Sequence, residues 1–191
     1  MGIQLHSTAA FAGLGLLTML APARPALPSG PSAARVEALW GPASAKVGEA
    51  APEVAIRDMD GREIRLSSFR GKPVLLSFLV SWCGECDEQA QPLSALFREY
   101  RDRGLEIIGI SYDTDRASAE AFRREHRIPW PIEFTGRGFW MNRIGRAFHV
   151  TDTGTILLIN PDGILEGDFS DLFRLRRRLD QILPVHSRVG G

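Results

Sequence analysis

Pro73-Val-Leu-Leu-Ser-Phe-Leu-Val80 runs without a break into Ser81-Trp82-Cys83-Gly84-Glu85-Cys86, and the reading of this stretch decides the fold. The apolar run is short, is bounded by Gly71-Lys72-Pro73 and is rich in β-favouring side chains, so it predicts a buried strand. From about Glu85 to Arg103 the pattern changes to helical spacing, with Leu93, Leu96, Phe97 and Tyr100 on one face. The chain's two cysteines therefore fall at a strand-to-helix junction.

That placement has a chemical consequence. At a helix N-terminus the unpaired backbone N–H groups and the positive end of the dipole favour a thiolate. Two intervening residues let both sulfurs face each other across the first turn, so the pair can close into a disulfide on a fixed scaffold. Cys83 is expected to be the exposed attacking thiol and Cys86 the resolving one. The competing readings are a structural disulfide and half of a zinc site. A loop this short removes little entropy from the unfolded chain, which makes a purely structural bridge ineffective. A second ligand pair at metal spacing is lacking, because His6, His126, His149 and His186 are scattered.

Outward from the junction, Val54-Ala-Ile56 and Ile64-Arg-Leu66 flank Asp60-Gly61 as a hairpin, and Ser67 is expected to cap a short helical turn. Arg103-Gly104 ends the motif helix, and Leu105 to Tyr112 is apolar enough for a parallel strand covered on both faces. Asp113 and Asp115 follow that strand; turn and cap chemistry is preferred to a metal site for them. Ala117 to His126 reads as a helix, Ile128-Pro-Trp-Pro-Ile132 as a stiff lead into a strand, and Gly136 to Trp140 as a loop. Phe139 and Trp140 are weighed as core or as the rim of a substrate groove. Met141 to Phe148 is expected to be one helix, Thr155 to Asn160 and Ile164 to Gly167 an antiparallel pair, and Leu172 to Leu183 a closing helix with arginines on one face.

The 191 residues support one domain with extensions, expected at 46–184. Lys+Arg and Asp+Glu balance at 23 each, so bulk charge gives no argument for nucleic acid. Residues 1–23 carry a small apolar core and read as a signal peptide or a membrane anchor, 24–45 as a flexible linker rich in Ala, Pro, Ser and Gly, and 185–191 as a disordered tail. Export, to a periplasmic or secreted location with a possible N-terminal membrane tether, follows as the expectation.

Val47-Gly-Glu-Ala-Ala-Pro52, Asp60-Gly61, Phe69-Arg-Gly-Lys-Pro73, Trp82-Cys83, Glu106-Ile-Ile-Gly-Ile-Ser111, Phe122 to His126 and Leu158-Ile-Asn-Pro-Asp-Gly163 together resemble the TlpA/ResA-like branch of the thioredoxin superfamily, which overlaps the AhpC/TSA or redoxin families. The resemblance covers about residues 46 to 183. It implies an α/β thioredoxin-like fold, a central mixed β-sheet with helices on both faces, and disulfide-reductase chemistry at Cys83 and Cys86. It also implies substrate contacts at Trp82, Thr153 and Gly154. Four departures stand out. Glu85 occupies a position where relatives carry proline, the helix proline is displaced to Pro92, the helix glutamate of the ResA-like branch falls on Gln89 with Glu88 beside it, and Gly154 aligns with the family's cis-proline. The Thr153–Gly154 bond is therefore expected to be trans and the loop looser; Gly154→Pro is expected to raise activity if glycine has merely weakened substrate docking, and no gain would mean a repurposed loop.

The leading function is thiol–disulfide oxidoreductase, with no cofactor beyond the Cys83–Cys86 disulfide, no metal, a protein disulfide as substrate and a thiol electron donor as partner. Glu85 and Glu88, with Asp87, place negative charge around the pair. They are expected to tune its pKa and hold the potential nearer that of thioredoxin than that of DsbA, roughly −270 against −120 mV. A thiol peroxidase is the first alternative. Peroxiredoxins carry Pro-x-x-x-Thr-x-x-Cys, where this chain has Leu76 and Val80 before Cys83. A copper- or metal-binding module using both cysteines, with His149 nearby, is the second.

Overall fold

The computed structural model describes residues 45–183; the expected leader (1–23), the linker (24–45) but for its last residue, the last residue of the expected domain (184) and the tail (185–191) lie outside them. The quoted apolar run forms strand β3 (Val74–Leu79), buried along its whole length. It lies at the centre of a five-stranded sheet, between parallel β4 (Glu106–Ser111) and antiparallel β6 (Ile156–Ile159). Outside these run β5 (Ile132–Phe134), parallel to β4, and β7 (Leu165–Asp168), antiparallel to β6. A central strand with neighbours on both edges and layers on both faces has no polar side to show, hence the mainly apolar composition of β3, β4 and β6.

The motif helix α1 (Gly84–Tyr100) follows β3, and a 3₁₀ turn, Arg101–Arg103, stops at Gly104, whose φ of 108° is left-handed. Helix α2 (Arg116–Glu125) links β4 to β5. Helix α5 (Leu172–Ile182) closes the chain and packs on α1, joined by Arg176 to Glu99 and by the Tyr100 hydroxyl donating to Asp180 at 2.7 Å. On β4, Gly109 faces Trp130, whose ring meets Phe97 of α1. Strand alternation turns Ile108, Ile110 and Tyr112 to the other face. There Tyr112 packs edge-to-face on Phe139, in α3 (Gly138–Met141), and its hydroxyl lies against Gly145 of α4 (Arg143–Ala147). The expected α/β architecture with helices on both faces is present.

A small hairpin, β1 (Ala55–Arg57) with β2 (Glu63–Arg65), turns at Asp60-Gly61 as expected. It also covers the outer edge of β5, where Met59 donates to the Ile132 carbonyl at 2.9 Å. Residues 48–51 do the same for β7: Gly48 donates to Leu165 O and Ala51 to Gly163 O.

Two local expectations are corrected. Ser67 lies inside the 3₁₀ turn Leu66–Phe69 and caps nothing; its N–H and hydroxyl both donate to Glu53, which draws it away from the cap position. The helix expected over Met141–Phe148 is two, α3 and α4, and α3 takes up part of the expected loop. Asn142 divides them, because its side-chain oxygen accepts the N–H groups of Ile144 and Gly145 and starts a new helix.

Candidate active site

The cysteine turn is held from beneath by one carboxylate. Asp113, at the end of β4 and only 3% exposed, accepts from the Ser81 N–H at 3.1 Å, from the Ser81 hydroxyl at 2.6 Å and from the Ser111 hydroxyl at 2.9 Å. The ends of β3 and β4 are thereby stitched together just before the motif. Asp115 does what turn chemistry predicts: its carboxylate accepts from Ser118 N–H and hydroxyl as the N-cap of α2, and those bonds hold its pKa below the usual carboxylate range.

Cys83 is the N-cap of α1. Its backbone is extended, and its Sγ accepts the N–H of Cys86 at 3.1 Å, one of the donors a helix start leaves unpaired. Cys86 lies on the first turn with its Cα 5.2 Å from that of Cys83, and the two are joined as a disulfide. The accessibility is lower than expected: Cys83 is 7% exposed and Cys86 4%. The Cys83 sulfur turns inward to cap the helix, and Trp82, 76% exposed, takes the outward position. Beside them Gly84 opens on free space, with nothing within 4 Å of where a Cβ would stand. Cys83 is thus the more accessible of a mostly buried pair.

The facing wall is the loop before β6. Thr153 is half-buried and Gly154 buried. No described peptide bond is cis, so Thr153–Gly154 is trans, as expected. The loop is not loose. Gly154 N–H donates to Phe78 O at 2.9 Å, and Gly154 O lies 3.3 Å from the Ser170 hydroxyl, which donates to Asp168 at 2.5 Å. Its φ is +80°, a region closed to proline, and proline would also delete the bond to Phe78. The expected activation by Gly154→Pro is therefore withdrawn. Against this glycine rests Glu85: a Cβ on Gly154 would stand 3.0 Å from Glu85 Cδ. The two departures from the family pattern meet in space. Cys86, Gly154, Phe78 and Gln89 line a common cavity of about 10 Å³, room for about one water.

Glu88 is exposed, and Asp87, also exposed, places a carboxylate oxygen 3.0 Å from Nε2 of the buried His126. Among the described residues no group of three His, Cys, Asp or Glu is placed to hold a metal, so His149 does not join the cysteines in such a cluster. Phe139 belongs to the core side through Tyr112, while Trp140 is half-exposed. The anchoring role of Asp113 and the His126–Asp87 contact are what sequence reasoning missed. Their only trace is an acid at a strand end and a histidine at a helix end.

Residues 47–166 match the AhpC/TSA family. The chain belongs to it. Among AhpC/TSA relatives, thiol–disulfide oxidoreductase ResA of Geobacillus kaustophilus is 31% identical over 72% of this chain and 79% of its own. Peroxiredoxin Q of Oryza sativa subsp. japonica is 37% identical over 94% of this chain and 83% of its own. Against two Bacillus ResA proteins the match spans 66% of their length. A DsbE-type thiol:disulfide interchange protein from Chlorobium tepidum superposes with a TM-score of 0.64 at 24% identity, covering 74% of this chain and 100% of that one. This AhpC/TSA chain therefore has the thioredoxin-like fold, and the TlpA/ResA-like resemblance is borne out.

Proposed function

We propose that the protein is a thiol–disulfide oxidoreductase that reduces protein disulfides outside the cytoplasm. The observation that carries this reading is the Cys83 sulfur at the start of α1, accepting the Cys86 N–H, with the second sulfur bonded to it one turn on. In the reduced protein, the Cys83 thiolate attacks one sulfur of a substrate disulfide. A mixed disulfide forms and the first substrate thiolate leaves. Cys86, deprotonated, attacks Cys83 Sγ, releasing the second substrate thiolate and forming the Cys83–Cys86 disulfide. Two electrons pass to the substrate, the two thiol protons end on its thiols, and an external thiol donor resets the pair. Helix-end N–H groups lower the energy of the Cys83 thiolate, while Glu85 and Glu88 raise it, giving a reducing potential. Trp82 and Thr153, with Gly154 beneath Glu85, form the surface on which the substrate chain rests. Export, and a tether through the N-terminal segment, complete the reading.

Insulin reduction, with a redox titration of the pair, tests it. The wild type precipitates the insulin B chain, Cys83→Ser abolishes this, and Cys86→Ser accumulates a mixed disulfide. A potential near that of DsbA would overturn the charge argument, and an inactive wild type the function itself.

The likeness to peroxiredoxin Q favours peroxide reduction as a second reading. There Cys83 would take an oxygen from the peroxide as a sulfenic acid, and Cys86 would condense with it, releasing water. Leu76 and Val80 are sealed in the core, leaving no hydroxyl at either position to seat a peroxide. Rapid peroxide turnover lost in Cys83→Ser would establish this reading over the first.

A further inference from the structure

We infer that Glu85, seated on Gly154, selects the polypeptide that reaches the cysteine pair, favouring a cationic residue next to the substrate's reactive sulfur; the inference rests on the thiol–disulfide reading above. Glu85 lies between the two cysteines in the chain, on the first turn of α1. A Cβ on Gly154 would meet its Cδ at 3.0 Å and its Cγ and Oε2 at 3.2 Å. The other oxygen, Oε1, accepts from Gln89 Nε2 at 3.0 Å. Although Glu85 is exposed, its side chain is held on one side by the Gly154 backbone and at one oxygen by Gln89.

The seat is at the rim of the disulfide, since Cys86 and Gly154 line the same small cavity. Gly154 has little else to offer an incoming chain. Its N–H is committed to Phe78, and its carbonyl faces the Ser170 hydroxyl at 3.3 Å. What remains is its Cα face, and Glu85 covers it. Only glycine permits this: at φ +80° any side chain is strained, and its Cβ would push Glu85 away.

No lysine or arginine among the described residues pairs with Glu85; its hydrogen-bond partner is the neutral Gln89. A polypeptide approaching Cys83 past Trp82 therefore meets an uncompensated, positioned negative charge. A lysine or arginine beside its cysteine gains an ion pair there, and an aspartate or glutamate is repelled. At about 4–8 Å in a water-like setting each effect is about two- to fivefold in rate, so a cationic and an anionic substrate differ by about five- to thirtyfold.

The test uses two disulfide-linked peptides identical but for Lys or Glu beside the cysteine, with kcat/KM measured for the wild type, Glu85→Gln and Glu88→Gln. Because both peptides undergo the same exchange, their ratio cancels any change in thiol chemistry. The wild type should prefer the Lys peptide by about five- to thirtyfold at low salt, with the ratio shrinking in high salt. Glu85→Gln should bring the ratio close to one, and Glu88→Gln should keep most of it. An unchanged ratio in Glu85→Gln, or an equal fall in Glu88→Gln, overturns the inference. Reduction of insulin but of neither peptide overturns it alone, whereas failure on insulin as well removes the oxidoreductase reading beneath it.

Discussion

Replacing Gly154 by alanine perturbs one point at which backbone and side chain can be separated. At φ +80° a non-glycine residue costs about 1–2 kcal/mol. The new Cβ, 3.0 Å from Glu85 Cδ, must drive that side chain off its rotamer, which adds about 0.5–1.5 kcal/mol. Alanine also restricts the unfolded chain, returning about 0.4–1 kcal/mol. The net loss expected in urea unfolding of the oxidised protein is about 1–2 kcal/mol. The same exchange in a Glu85→Ala background should cost less, because the contact share vanishes while the backbone share stays. A double-mutant cycle should therefore return a coupling of about 0.5–1 kcal/mol. Coupling indistinguishable from zero would show that Glu85 does not rest on Gly154, and a single-variant cost below about 0.5 kcal/mol would show that the loop does not hold this φ.

Asp113→Ala strands the Ser81 N–H and two hydroxyls, so a loss of about 2–3 kcal/mol is expected by urea titration, with insulin reduction falling as the cysteine turn loosens; a loss under 1 kcal/mol would mean the stitch is redundant. Burial raises the Glu133 carboxyl above its usual range, against the Asn142 hydrogen bond and Arg143. Its folded pKa lies above the unfolded one, so its share of stability is whole below the unfolded pKa and fades as pH climbs through the folded value. Glu133→Gln should therefore flatten the wild-type decline, which is at most about 1.4 kcal/mol per pH unit, and be the more stable protein at pH 8; parallel stability–pH curves would contradict this. Glu166 behaves oppositely. Arg178 lowers its pKa, so Arg178→Ala should cost about 1 kcal/mol at pH 7 and nothing once both states are protonated in acid, as read by urea midpoints against pH. A cost that persists at pH 2 would point to packing by the arginine stem instead.

The sheet and the cysteine junction were legible because their signals are local. An apolar run between turn residues, then helical spacing, is written in consecutive positions. The meeting of Glu85 with Gly154 was not, because two departures far apart in the chain carry no sign that they compensate each other; read singly, each looked like a loss. Asp113 was obscured for another reason: an aspartate ending a strand has the same appearance whether it caps a turn or ties down the neighbouring strand end. The break at Asn142 escaped because helix formers lie on both sides of it, and only the backbone shows which neighbours its side chain serves. The inward turn of Cys83 follows from a sulfur competing for the cap, a choice that spacing cannot reveal.

The hairpin over β5 and residues 48–51 along β7 each occupy part of the outer margins of the five-stranded sheet. A client chain that would zip onto the sheet meets these covering segments first, as would a second copy when concentrated or partly unfolded. Contact is thus channelled to the end of the strands where the sulfurs lie, and trimming residues 46–51 should turn a well-behaved protein into one that clumps.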